Sequence, residues 1–205
     1  MLGAVVTTSS MAVGSRCAWA EAKVGAVLTQ HRTDPRLGPR ILGRLRSGHS
    51  PEAAIRDLER SEPGLGWRQL AVLAADGEGA FFNGAKITSV MKASVGKNCV
   101  AAGNILRSTA VVDAMVSTFE ENEDQPLAER LMRAIEAGEA AGSELKQIKS
   151  AALLVVHQEN FPYVDLRVDL SAQPLVELRF LWELYQPTVD AYVVRAVDPD
   201  NAPAP

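Results

Sequence analysis

The sequence predicts an α/β chain in which two mainly antiparallel sheets pack face to face with helices outside. Three observations lead there. Short apolar or β-branched runs come in pairs, amphipathic helix patterns come in pairs between them, and neither a linker nor an internal repeat interrupts the 205 residues. A chain of this length supports one substantial core. One domain over 1–197 is expected, followed by a proline-rich, disordered tail over 198–205.

The first run, Leu2 to Thr8, is β-branched and free of helix formers, so it predicts a buried strand. A loop carrying Gly14, Arg16, Cys17 and Trp19 leads to a second strand, Val24 to Thr29. Consecutive strands joined by a moderate loop are most simply antiparallel neighbours, so these two are expected to be adjacent in one sheet. A helix is expected over Leu37 to Arg46. The next opens at Ser50-Pro51-Glu52, an N-cap followed by proline at the first helical position, and ends at Pro63-Gly64. Trp67 to Ala74 and Gly79 to Phe82 flank Ala75-Asp76-Gly77-Glu78, a hairpin signal, and Asn98 to Ala102 predicts a further strand.

Ser108 is expected to cap a helix through Glu120, with Val112, Met115, Val116 and Phe119 on its apolar side. Leu127, Leu131 and Ile135 mark a second helix over Pro126 to Ala140. Strands follow at Ala151 to His157 and Val164 to Asp169. The latter alternates Val164, Leu166 and Val168 against Asp165, Arg167 and Asp169, so one face is buried and the other meets water or a site. A last helix starts near Pro174, with Leu175, Leu178, Leu181 and Trp182 as its buried stripe.

Composition excludes several classes. Net charge is −4, against the concentrated basic patch that nucleic acid requires. No apolar run approaches the ~20 residues that cross a bilayer, and no secretory leader is expected. Cys17 and Cys99 fit no metal-ligand spacing, so no metal and no cofactor are expected, and a reduced cytoplasmic chain is the simplest reading. No phosphate loop or dinucleotide fingerprint is present. Arg36, Arg40 and Arg44, spaced by four, share one helical face, which is either solvated or an anion site.

The segment MAVGSRCAWAEAKVGAVLTQHRTDPRLGPRILGRLRSG resembles the opening signature of the family filed as domain of unknown function 1028. AAGNIL, LAERLMRAIEAGEAAG, KSAALLVV and PYVDLRVD followed by PLVELRFLWELY match it too, in order, over roughly residues 2 to 190. The resemblance implies an αββα sandwich like that of the Ntn (N-terminal nucleophile) hydrolases. It also implies hydrolysis of a small amide or peptide by an N-terminal Ser, Thr or Cys whose own α-amino group is the base. Family members usually place that residue on a strand preceding the first one read here. Met1-Leu2 supplies no nucleophile, so the chain as written is expected to be inactive as a hydrolase, with the Leu2 to Thr8 edge unpaired. The family's Gly-Asp-x-Arg-like run stands here as Ser143-Glu144-Leu145-Lys146. The alternative is a non-catalytic small-molecule-binding or scaffold protein on the same fold.

Candidate residues follow from the expected strand ends. Ser9 and Ser10, with Thr8 beside them, form a hydroxyl cluster, and Lys23 is expected at the same edge, where an ammonium lowers a hydroxyl pKa. The same hydroxyls equally serve to end a strand and cap a loop. Asn104 either donates to a substrate carbonyl or supports its turn. Arg36, Asp165 and Arg167 complete the candidate ligand contacts, with a structural charge ladder as the other reading of the last two. His31, His49 and His157 form no catalytic arrangement. A homodimer is expected, with Trp19, Phe82, Trp182 and Tyr185 as aromatic interface candidates.

Overall fold

The computed structural model describes residues 1–203. In chain order the strands and helices are β1 (Leu2–Thr8), β2 (Ala18–Glu21), β3 (Gly25–His31), α1 (Leu37–Arg46), α2 (Pro51–Ser61), β4 (Arg68–Ala74), β5 (Gly79–Asn83), β6 (Lys92–Gly96) and β7 (Cys99–Gly103). Then come α3 (Ala110–Glu121), α4 (Leu127–Ala140), β8 (Ser150–Val156), β9 (Pro162–Val168), α5 (Pro174–Tyr185) and α6 (Val189–Val197). Of the expected tail, Pro199–Asn201 forms a 3-10 turn, and residues 204–205 lie outside the described residues.

All pairing is antiparallel. One sheet has the order β1-β8-β9, a second β2-β3-β4-β5, and β6-β7 is a separate hairpin. The expected neighbours Leu2 to Thr8 and Val24 to Thr29 are therefore in different sheets. β1 pairs instead with β8, Leu2 opposite Val156 and Thr8 opposite Ser150, while β3 takes β2 and β4 as partners. The segment read as a loop contains β2, whose four residues AWAE carry too short a pattern to signal a strand. β6 also goes unread, because its Ala, Ser and Gly lack β-branching.

Each sheet has one helix-covered face. Val27, Leu70, Val72 and Ala80 pack against Leu37, Ile41 and Leu45 of α1 and Ala54, Ile55 and Leu58 of α2. On the other sheet Leu153, Val155, Val164 and Val168 pack against Met132 and Ile135 of α4 and Leu175, Leu178 and Trp182 of α5. Burying each such side chain contributes roughly 1.5–3 kcal/mol. The remaining faces meet through Val6 and Ala152 on one side and Cys17, Ala18 and Leu28 on the other. The expected alternation of β9 is present: Val164 and Val168 are buried, and Asp165 and Arg167 turn away. Trp182, a candidate for an interface, is only 2% exposed and belongs to the core.

Local signals act as expected at α2. Ser50 Oγ accepts from the Ala53 N–H at 3.2 Å and Pro51 occupies the first turn, a cap that stabilises by about 1 kcal/mol. α3 starts one residue later than expected, after Thr109 instead of Ser108, with no side-chain cap. Beyond β1, the buried Ser150 hydroxyl donates to the Ser10 carbonyl at 2.8 Å and accepts from the Val13 N–H at 3.1 Å, fastening the loop to β8.

A charge cluster joins α4 to α5. Glu129 accepts from Arg133 at 2.7 Å, Arg179 at 2.6 Å and Trp182 Nε1 at 3.0 Å, and Arg179 forms a forked pair with Glu136 at 2.8 Å. Burial pushes the Glu129 carboxyl up, but these three donors outweigh it and hold it below its ordinary value. A depressed carboxylate contributes stability above its unfolded pKa of about 4.3, lost as pH falls through the folded value. Glu129→Ala is thus expected to cost about 2 kcal/mol at pH 7 by urea denaturation and much less at pH 3. Equal losses at both pH values would show that the carboxylate charge is not what joins the helices.

Candidate functional site

A cavity of about 400 Å³ lies between the sheets and under the helices. Its floor is the inward face of the four-stranded sheet, Ala26 and Leu28 of β3 with Ala71 and Leu73 of β4. Its roof is formed by Met115 and Phe119 of α3 with Leu131 and Ile135 of α4. One side wall is β1, from Met1 through Thr7, and the facing wall is β7.

Polar groups gather at one end, around Gln69. Gln69 is fully buried and sits opposite Gln30 on β3 and Asn83 on β5, so all three share the inward face. Its Nε2 donates to Asn83 Oδ1 at 2.8 Å, to the Gly103 carbonyl at 3.0 Å and to the Lys92 carbonyl at 3.2 Å. Its Oε1 accepts from Gln30 Nε2 and from Asn104 Nδ2, each at 3.0 Å. Gln30 Nε2 also donates to the Ala102 carbonyl at 3.1 Å. The network pins the β6-β7 hairpin over a sheet to which it is not hydrogen-bonded strand to strand. Gln30 and Asn104 also line the cavity. The amide nitrogens of both donate to Gln69.

The expected site residues are dispersed. Asn104 alone of them lines this cavity. Ser9 and Ser10 follow β1, where the Ser9 N–H donates to Glu144 Oε2 at 3.2 Å and the Ser10 N–H to Thr8 Oγ1 at 3.4 Å. Lys23 has φ +66° in the turn between β2 and β3, beside Ala75, whose N–H donates to the Val24 carbonyl. Because β1 pairs with β8 rather than β3, Lys23 and the two serines occupy opposite ends of the sandwich. Asp165 and Arg167 form a forked pair at 2.8–2.9 Å and line a second depression, of about 620 Å³, with Gly14, Trp19 and Glu21. Arg36 binds Asp34, Arg40 Glu62, Arg44 Asp57 and Arg46 Glu21, so each arginine of that segment's helical face already holds a carboxylate.

No activated nucleophile faces the cavity among the described residues. Thr7 Oγ1 donates to the Ser150 carbonyl at 2.9 Å. Burial, then the nearby Glu120, pushes the Cys99 thiol up, and burial does the same to Cys17, so both resist becoming thiolates. His31 Nδ1 meets the Trp67 carbonyl, His49 the Arg44 carbonyl, and His157 stands edge-on to Tyr163. No three His, Cys, Asp or Glu side chains among the described residues are grouped to hold a metal ion, and none of the described helices is long and apolar enough to cross a membrane.

Sequence reasoning missed Gln30 and Gln69. Their signal was a glutamine next to the polar end of each of two largely apolar strands, GAVLTQH and RQLAVLA, legible as a pair only once the register of β3 and β4 is known. Gln69→Leu keeps the volume but strands its partners. It is expected to cost about 2–4 kcal/mol in denaturant unfolding and to speed amide exchange across 92–103. Unchanged exchange there would mean the hairpin is held by its apolar contacts instead.

The chain matches, over residues 1–178, the family described as a family of unknown function, DUF1028. No curated protein matches it. A Silicibacter pomeroyi protein of that same family has a similar crystal structure, with a TM-score of 0.81 and 30% sequence identity over 91% of this chain and 79% of the other. A family match across most of the chain, together with this likeness in structure, identifies the chain as a member of the DUF1028 family.

Proposed function

We propose that the protein binds a small, mainly apolar amide, such as an N-acyl amino acid or a short uncharged peptide, on an αββα sandwich of the Ntn-hydrolase type. One observation carries this reading: a 400 Å³ apolar cavity offers two amide oxygens, Gln30 Oε1 and Asn104 Oδ1, with no activated hydroxyl or thiol among the described residues beside them. Helices on the outer face of each antiparallel sheet support the Ntn-type layering. Binding is favoured over hydrolysis because the described residues include no nucleophile paired with a base. Two unpaired cysteines fit a reducing cytoplasm.

The test is calorimetric titration with N-acyl amino acids and capped di- and tripeptides, alongside a product-release assay. Binding without turnover is expected, weakened about tenfold by Asn104→Leu, which removes one acceptor. Robust turnover abolished by Ser9→Ala or Ser10→Ala would replace this reading with catalysis by an internal serine.

We also propose a homodimer, on a different surface from the expected aromatics. Val176, Phe180 and Leu184 recur every four residues on α5, and each is about 60% exposed. A stripe of this kind is self-complementary about a twofold axis. Tyr185, another candidate, stacks on Tyr192 of its own chain with ring centroids 5.6 Å apart. Light scattering at micromolar concentration is expected to give a dimer, and Phe180→Glu a monomer of unchanged thermal stability. A wild-type monomer would remove the proposal.

A further inference from the structure

The chain leaving β5 is clamped against the turn that precedes β4. The Gly84 N–H donates to the Arg68 carbonyl at 2.9 Å, the Lys86 N–H to the Gly66 carbonyl at 2.8 Å, and the Ile87 N–H to the Gly84 carbonyl at 3.0 Å. Gly84 is buried, and a Cβ there would overlap the Gly66 and Arg68 carbonyl groups, so only glycine fits. The residue before it is Asn83, the last of β5 and the one asparagine of the chain that glycine follows. Asn83 Oδ1 accepts from Gln69 Nε2 at 2.8 Å.

An asparagine followed by glycine carries a reaction within its own backbone. The glycine nitrogen attacks the side-chain amide carbon, a C–N bond forms, and the side-chain nitrogen leaves as ammonia, giving a five-membered succinimide. Water then opens the ring at either carbonyl and yields aspartate or isoaspartate, a net exchange of one amide for one carboxylate. Glycine favours the attack because no side chain hinders its nitrogen and its backbone angles are free. At Asn83 both reacting groups are restrained. The proton on the attacking nitrogen is held by the Arg68 carbonyl, and the amide under attack is held by the fully buried Gln69.

We propose that Asn83-Gly84 is a self-modification site, locked while the Gln69 network is closed and released when that network opens. One opening frees both reactants, because Gln69 and Arg68 are consecutive residues of β4 and each holds one of them. The same opening loosens the β6-β7 hairpin, since Gln69 Nε2 also donates to the Lys92 and Gly103 carbonyls. The product does not close again as before. Isoaspartate lengthens the main chain by one carbon where Gly84 must fit against Gly66 and Arg68, and it shifts position 83 out of register with Gln69. Aspartate keeps the acceptor but adds a negative charge beside a buried amide. A reversible local opening thereby becomes a lasting detachment of the hairpin from the four-stranded sheet.

The intact protein is incubated at neutral pH in water enriched in heavy oxygen, which labels every ring opening. Position 83 is followed by peptide mass mapping and by enzymatic methylation of isoaspartate. Folded wild-type protein is expected to take up label at least about tenfold more slowly than the same chain unfolded in urea, and folded Gln69→Leu at least about tenfold faster than folded wild type. Equal labelling of folded and unfolded wild type would overturn the lock, as would a folded Gln69→Leu no faster than wild type. Should Gln69→Leu not fold, wild type in urea below its unfolding transition replaces it. Label that rises there supports local release, and label that rises only with global unfolding overturns it. The modified fraction, separated by its extra negative charge, is expected to exchange amides across 92–103 about tenfold faster than the unmodified protein. Equal exchange would overturn detachment of the hairpin.

Discussion

The side-chain amide of Gln69 has no contact with water and five hydrogen-bond partners, and the site is arranged around it. Burying an unbonded amide costs several kcal/mol, so once Gln69 points inward its neighbours must supply acceptors and donors. They come from three places: Gln30 and Asn83 on flanking strands, the backbone of Lys92 and Gly103, and Asn104 just beyond β7. A glutamine thus does what a strand ladder does elsewhere, holding the β6-β7 hairpin on the sheet from below.

That attachment leaves a consequence. The hairpin is fastened through side chains and its own two-strand ladder, so the outer edge of β7 stays unpaired. β1 is likewise unpaired on one side, because only β8 borders it. Two strand edges, with a helix pair above and a sheet below, enclose a mainly apolar space lined also by the side-chain amides of Gln30 and Asn104. The charged residues of its lining are Asp76, Arg130, Glu139 and Glu144. The arginines of α1 are taken up by carboxylates, and Arg130 stacks over Phe119 at 3.9 Å while donating to its carbonyl.

On the opposite side, Glu129, Arg133, Arg179, Glu136 and Trp182 bind α5 to α4 by hydrogen bonds between partly exposed charges. α5 buries Leu175, Leu178 and Trp182 yet leaves Val176, Phe180 and Leu184 open. Its apolar residues go nearly all round, as in a helix covered on two sides. The sequence pattern shows the buried stripe, and the exposed one stands in the same turns.

What the sequence alone determined was local. The Ser50-Pro51 cap, the Asp76-Gly77 turn, where Gly77 takes φ +91°, and the alternation of β9 act among residues a few positions apart, and each stands as expected to within a residue or two. Family membership was legible too, since several motifs in order are a linear property. Tertiary structure alone decided which strand Leu2 to Thr8 would join. Val5 faces Leu153 and not its neighbour in sequence, because Val5 and Leu153 together present one apolar face to α4 and α5. The same choice carried Lys23 away from Ser9 and Ser10, paired Gln30 with Gln69, and opened the cavity between β1 and β7. Turns and caps are set by neighbours along the chain, whereas strand partners are set by which faces must be buried together. No spacing in a single sequence records that.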